Sequence, residues 1–179
     1  MKSFVAGLIL GLLLVFGGAY FYFASGSAPV ATDAEAMPFE KKFAHMALNA
    51  RVEKEMPKSV PFTADETAYL GGADVYHEHC AVCHGQPGQP ATAIAKGMFP
   101  KPPVLLEGKG VTDDPAQETY WKVANGIRMT GMPAFKKTLT EQQMWQVSLL
   151  LANADKVPQS VKDRLASQPT PPLAAAPRP

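Results

Sequence analysis

His79-Cys80-Ala81-Val82-Cys83-His84-Gly85 holds both cysteines of the chain, and three of its four histidines lie in this stretch or, as His77, just before it. The order Cys-x-x-Cys-His is the signature of covalent haem c: two thiols add across the porphyrin's vinyl groups and the next histidine becomes an axial iron ligand. On a helix, positions three and four apart share a face, so Cys80, Cys83 and His84 can address one planar ligand together. Other chemistries fit less well. A zinc site of His77, Cys80, Cys83 and His84 lacks the second, separated ligand cluster on which structural zinc sites usually draw. A thioredoxin-like pair needs a βαβ surround that the flanking sequence does not supply, and a plain disulfide gives His84 no role. The residues predict one covalently attached haem c on Cys80 and Cys83, with His84 on the iron.

Outward from the motif, both ends of the 179-residue chain look unlike core material, which leaves room for one small domain. The segments expected are a membrane anchor over 1–24, a tether over 25–62 that includes a helix at 38–56, a haem domain over 63–166 and a tail over 167–179. The formal net charge of +1 and the lack of a basic run interleaved with aromatics give no reason to expect a nucleic-acid partner.

Phe4 to Phe23 is a run of twenty positions without a charge, about the length that crosses a bilayer core as a helix. It ends in Tyr20-Phe21-Tyr22-Phe23, like an interfacial aromatic belt, and exceeds the apolar core of a cleavable signal, so a retained anchor is expected. Lys2 before it, with Asp33 and Glu35 after it, predicts a cytoplasmic N-terminus and an exported body: a single-pass protein of the bacterial cytoplasmic membrane with its haem domain on the periplasmic side. Gly7 and Gly11 form a G-x-x-x-G that either admits a second helix or faces lipid.

Ser25 to Met37 is small, polar and Pro-containing, an extended tether that spans about 45 Å at most. Over 38–56, Phe39, Phe43, Met46 and Ala50 recur at helical spacing among charged residues, which predicts an amphipathic helix. Its apolar stripe has three available covers: the haem domain, the membrane or another subunit. His45 beside it reads as a surface or packed histidine rather than a ligand. Thr63-Ala64-Asp65-Glu66 has the form of a capping box, starting a helix along which Leu70, Ala73, Tyr76 and Cys80 share a face. Gly71-Gly72 weakens that helix by about 1 kcal/mol per glycine, so a close contact is expected there.

Gly72-x-x-x-Tyr76-x-x-x-Cys80-x-x-Cys83-His84-Gly85 resembles the N-terminal helix and haem motif of class I c-type cytochromes, small all-α electron carriers. The resemblance covers roughly Thr63 to Asp155. It implies an all-α haem domain in which Gly72 lets this helix cross the C-terminal helix and Tyr76 packs nearby, while His77 and His79 have no counterpart role. The Pro- and Gly-rich stretch from Gln86 to Gly110 is read as an irregular loop. It is similar to the family's proximal loop, where a proline carbonyl accepts the ligand histidine's second N–H; Pro100, Pro102 and Pro103 are the candidates.

Asp114-Pro115 reads as an N-cap with proline at the first helical position, and Asn125-Gly126 as the stop. Gly126 to Phe135 resembles the family's sixth-ligand loop, which implies Met132 as the second axial ligand. Met98 and Met129 are rivals, but only Met132 stands between a glycine and a proline, where the proline restricts the preceding backbone to an extended form. Thr140 to Gln143 is a second capping box, with Leu139 and Met144 as its hydrophobic staple, and opens a helix expected to reach about Ala154. The tail from Ser167 is too poor in apolar residues to order itself, and a proline-rich docking segment is the alternative.

The resemblance implies a tethered monohaem carrier that moves one electron at a time between redox proteins of the membrane or periplasm, with no catalytic residue and no small-molecule substrate. Lys96, Lys101, Lys109, Arg128, Lys136 and Lys137 fall in segments expected around the haem, as a steering surface or as scattered solvated charges. Two other classes stay open: a cytochrome subunit fixed in a larger oxidoreductase, and a haem peroxidase or gas sensor with a displaceable sixth ligand.

Overall fold

The computed structural model describes residues 1–107 and 114–167, and every regular element among them is a helix. The tail beyond Ser167 and Lys109 lie outside the described residues. The chain forms two compact units, Met1–Ala44 and His45–Pro179.

In the first unit, helix α1 (Lys2–Ala24) has a mean hydropathy of 2.3 and no buried residue, so its apolar side chains are turned outward on all sides. It is long and apolar enough to cross a membrane. A Cβ at Gly7 or Gly11 would meet nothing within 4 Å, so within this chain that face is open. Turns and bends follow, with no regular element before helix α2 (Glu40–Glu55). Glu40 accepts a hydrogen bond from the Met37 backbone N–H at 2.8 Å. Phe39 lies outside the helix, at φ 65°, with its ring 6.3 Å from that of Phe43.

The stripe expected on α2 is uncovered: Phe39 is 67% exposed, Phe43 60% and Met46 58%. The one buried residue of the helix is Val52, about half a turn round from Phe43. Apolar side chains therefore occupy opposite faces, because Leu48 and Val52 break the single stripe that the spacing suggests.

The second unit is built on two crossing helices. Helix α3 (Glu66–Val75) packs across helix α7 (Glu141–Ala152), and a Cβ on Gly72 would collide with the Gln146 carbonyl oxygen. That approach is the close contact the paired glycines predict. Helix α6 (Ala116–Asn125) lies on α7, where the Tyr120 ring stacks on the buried Trp145 at 4.1 Å. Helix α8 (Gln159–Ser167), unforeseen in the sequence, closes the far side of α3 through Val161 and Leu165. Tyr76, Val147, Leu150 and Val161 form the dry centre.

Several boundaries move. The cap of α3 is Asp65, which accepts the Ala68 N–H at 2.8 Å, and not Thr63. Glu66 then lies in the first turn and accepts a hydrogen bond from Ser160 of α8. Likewise α6 is capped at Pro115 rather than Asp114, whose carboxylate instead takes the Lys122 ammonium at 2.6 Å. Within the loop of 86–110, Thr92 caps a short helix, α5 (Ala93–Gly97), so that stretch is not wholly irregular. The second capping box forms as expected: Thr140 N–H donates to Gln143 Oε1 at 2.9 Å and Gln143 N–H to Thr140 Oγ1 at 3.2 Å. Leu139 and Met144 are both buried behind it. Helix α7 stops at Ala152, two positions short of the expected end.

Candidate haem attachment site

The motif is carried on a helical path with one irregular turn. After Val75 the backbone widens into a π-turn (Tyr76–Cys80), closed by the Ala81 N–H on the Tyr76 carbonyl, and tightens again into helix α4 (Ala81–His84). Cys83 and His84 are thus on one short α-helical turn, while Cys80 is delivered by the wider one. Both cysteines are free thiols. Burial, with Cys83 beside it, pushes the Cys80 thiol up to about 12, and burial also raises Cys83, so neither carries appreciable thiolate at neutral pH.

Gly85 ends the turn at φ 84°, and its carbonyl accepts the Tyr76 hydroxyl at 2.7 Å. That bond gives the buried phenol a partner and pins the exit of the motif to its entrance. The Thr92 hydroxyl donates to the Val82 carbonyl at 2.6 Å, tying α5 to the same turn.

His84 is oriented from behind. Its Nδ1–H donates to the Pro103 carbonyl at 2.8 Å, which selects Pro103 from the three prolines expected. A carbonyl only accepts, so the proton sits on Nδ1 and the lone pair on Nε2. Burial lowers the pKa of His84, opposed by the Pro103 bond, and the imidazole is neutral at physiological pH. A cavity of about 260 Å³ opens beside Cys83 and His84, lined also by Lys96, Lys101, Pro102 and Val104.

The Met132 loop is shaped by its own backbone. Ile127 N–H donates to the Met132 carbonyl at 3.2 Å, the Thr130 hydroxyl donates to Ile127 O at 2.7 Å, and Met132 N–H donates to Thr130 Oγ1 at 3.1 Å. Phe135 N–H then returns to Val123 O at 3.0 Å, closing the loop on the end of α6. Gly126 makes this possible: at φ 66° a Cβ would sit 2.7 Å from Ala134 N and 2.9 Å from Met132 O. Met132 and Phe135 pack, with Cys80, against the main core. Of the rivals, Met129 is 92% exposed at φ 60°, and Met98 lies on the loop itself, its methyl group where a Cβ of Gly131 would go.

The two histidines without a counterpart have structural partners. His77, buried, donates from Nε2 to the Arg164 carbonyl of α8 at 3.0 Å and accepts at Nδ1 from the Gln86 amide at 3.0 Å. Both nitrogens are engaged, so His77 takes no part in a zinc site with the cysteines. Among the described residues no group of three or more His, Cys, Asp or Glu gathers as a metal cluster. The His79 ring packs on Phe135 at 5.7 Å, bringing the entrance of the motif to the Met132 loop. His45 is exposed on α2. Lys96, Lys101, Arg128, Lys136 and Lys137 are all exposed, and Lys136 Nζ reaches Asn125 Oδ1 at 3.3 Å.

Two thiols a turn apart, an imidazole whose Nδ1–H is held by a carbonyl, and an all-helical surround define a c-type cytochrome domain. Residues 67–149 match the family model described as cytochrome c oxidase, cbb3-type, subunit III, a stretch that contains Cys80, Cys83, His84 and Met132. No curated protein and no solved structure matches the chain. The domain is an electron carrier and not by itself an enzyme, and its cofactor is covalent haem c. The residues present fit that group: two free thiols for the thioethers, a neutral imidazole, and apolar Val104 and Ile94 left 55% and 39% exposed near the motif. Among the described residues one helix, at the N-terminus, has membrane-spanning length, consistent with a single-pass protein.

Proposed function

We propose that this chain is a membrane-tethered, one-electron carrier with a single haem c joined to Cys80 and Cys83 and held axially by His84 and Met132. The observation that supports it best is the Nδ1–H bond from His84 to Pro103, which leaves Nε2 as the imidazole's only ligating atom and restricts its rotation. Haem iron bound this way changes oxidation state by one electron, and a thioether in the sixth position favours the ferrous form.

The chain's own residues then have defined tasks. Pro103 and Thr92 hold the histidine side rigid, and Thr130 with Ile127 holds the Met132 backbone, so either redox state meets the same ligand positions. Phe135 and Tyr76 pack against the core and limit water. Exposed Lys96, Lys101, Arg128, Lys136 and Lys137 form a steering surface for acidic redox partners, at interfaces small enough to release them. The domain organisation proposed is an anchor over 1–24, a tether over 25–62 and the haem domain over 63–166, facing the periplasm.

A second reading, a subunit fixed in a larger oxidoreductase, is favoured by the family match, whose description is that of an oxidase subunit. Co-purification of a stoichiometric partner in mild detergent separates it from a free shuttle. The ligand set is tested by absorption spectra of the oxidised and reduced holoprotein beside Met132→Ala. A far-red sulfur-to-iron band lost in the variant, and no carbon monoxide binding by the parent, is the expected result. A parent that lacks the band and binds the gas readily overturns His84/Met132 ligation.

A further inference from the structure

We infer that Phe39 and Phe43, at the start of α2, insert into the interfacial zone of the same bilayer that α1 spans; this rests on the reading of α1 as a membrane anchor. Both rings are largely exposed, at 67% and 60%, and lie beside each other with centroids 6.3 Å apart. Phe39 adopts a left-handed backbone, φ 65°, which a residue with a Cβ avoids unless something compensates. The consequence of that conformation is to place the Phe39 ring against Phe43 instead of continuing the chain away from the helix. Two adjacent exposed phenylalanines present a compact apolar projection rather than isolated surface residues.

A bilayer is the occupant the chain itself points to. Phe39 and Phe43 belong to the same unit as α1, and only residues 25–38 separate Ala24 from Phe39. A span of fourteen residues reaches at most about 50 Å, so the membrane surface is always within range and its effective concentration is high. Glu40, Lys41 and Lys42 lie between the two rings in sequence, a net charge of +1 beside the apolar pair. Exposed phenylalanines with lysines beside them suit the boundary between headgroups and acyl chains, where apolar area and attraction to anionic lipid both contribute. On α2 the face bearing Phe43 is turned away from Val52, the helix's one buried residue, so the ring is not needed for packing elsewhere on the helix.

The test uses full-length holoprotein in vesicles of phosphatidylethanolamine and phosphatidylglycerol, with photoreactive p-benzoyl-phenylalanine placed singly at Tyr20, Glu35, Phe39 or Phe43. Lipid adducts at Phe39 and Phe43, at several times the yield at Glu35 and comparable with Tyr20, support the inference. Lipid adducts at Tyr20 alone overturn the docking and leave the anchor standing; none at Tyr20 overturns both. Equal yields at Glu35 and Phe43, or cross-links from Phe43 to a second copy of the chain, also overturn it. Phe39→Ser combined with Phe43→Ser provides an independent readout. Protease cleavage of the 25–40 segment in vesicles should speed up several-fold relative to the parent, and an unchanged rate counts against docking.

Discussion

Single atoms decide how closely the haem domain can close. At Gly72 a Cβ would meet the Gln146 carbonyl, a backbone group that cannot swing aside, so Gly72→Ala must push α3 and α7 apart. Overpacking of this kind costs about 1–3 kcal/mol, read as a lower urea midpoint with unchanged slope. Gly126→Ala combines a disfavoured backbone with a clash against the Met132 loop, so stability and ligation should fall together: the far-red band weakens along with the midpoint. Lys122 behaves differently. Burial works against its ammonium, but hydrogen bonds and charge from Asp114 and Glu118 prevail and hold its pKa above the ordinary 10.5. A pKa raised by folding stabilises fully below that ordinary value, and the contribution disappears as pH climbs through the folded one. Lys122→Met should therefore cost about 1 kcal/mol at neutral pH, and the gap to the parent should narrow in denaturation curves as pH rises above the ordinary lysine value of 10.5.

Among the elements, what was legible in the sequence is what is local. Thr140 and Gln143 specify their cap within four residues, and Gly72 signals a crossing because a glycine pair inside a helix has few other uses. Between Thr63 and Asp65 the start of α3 falls to Asp65, which accepts the Ala68 N–H, while the Glu66 carboxylate has a partner in α8. That partner lies 94 positions away and leaves no trace in the local pattern. Helix α8 itself offers only Val161 and Leu165 as a periodic signal, too short a run to tell from a loop. A separation of 87 positions likewise hid His77, which reads as a spare histidine until its bond to Arg164 places it between the haem motif and α8. His77→Leu leaves a buried carbonyl and amide without that ring, at about 1–3 kcal/mol. Amide exchange should accelerate in 159–167 before the rest of the domain. Exchange that rises uniformly would mean that α8 is held by Val161 and Leu165 alone.

At the scale of the whole molecule, a domain of modest size follows a helix that has no buried residue. Deleting residues 1–24 should convert an alkali-resistant membrane protein into a soluble one that keeps its spectrum, checked by fractionation and absorbance; a shifted spectrum would show that the anchor shapes the haem site. The π-turn at Tyr76–Cys80 bears on how much length variation the molecule tolerates. A π-turn accommodates one residue more than an α-helical turn while leaving the flanking helices in phase. The path from Gly72 to His84 therefore contains one surplus residue, stored where the backbone already bulges. Removing the exposed Glu78 would let the bulge relax to a plain helix with Cys83 and His84 still facing as before. Removing Asp74, inside α3, would instead turn the buried Val75 and Tyr76 by about 100° and off the core that seats the motif. The haem motif is thus indifferent to chain length at one position and intolerant of it four residues earlier, a register rule that a set of single-codon deletions can map.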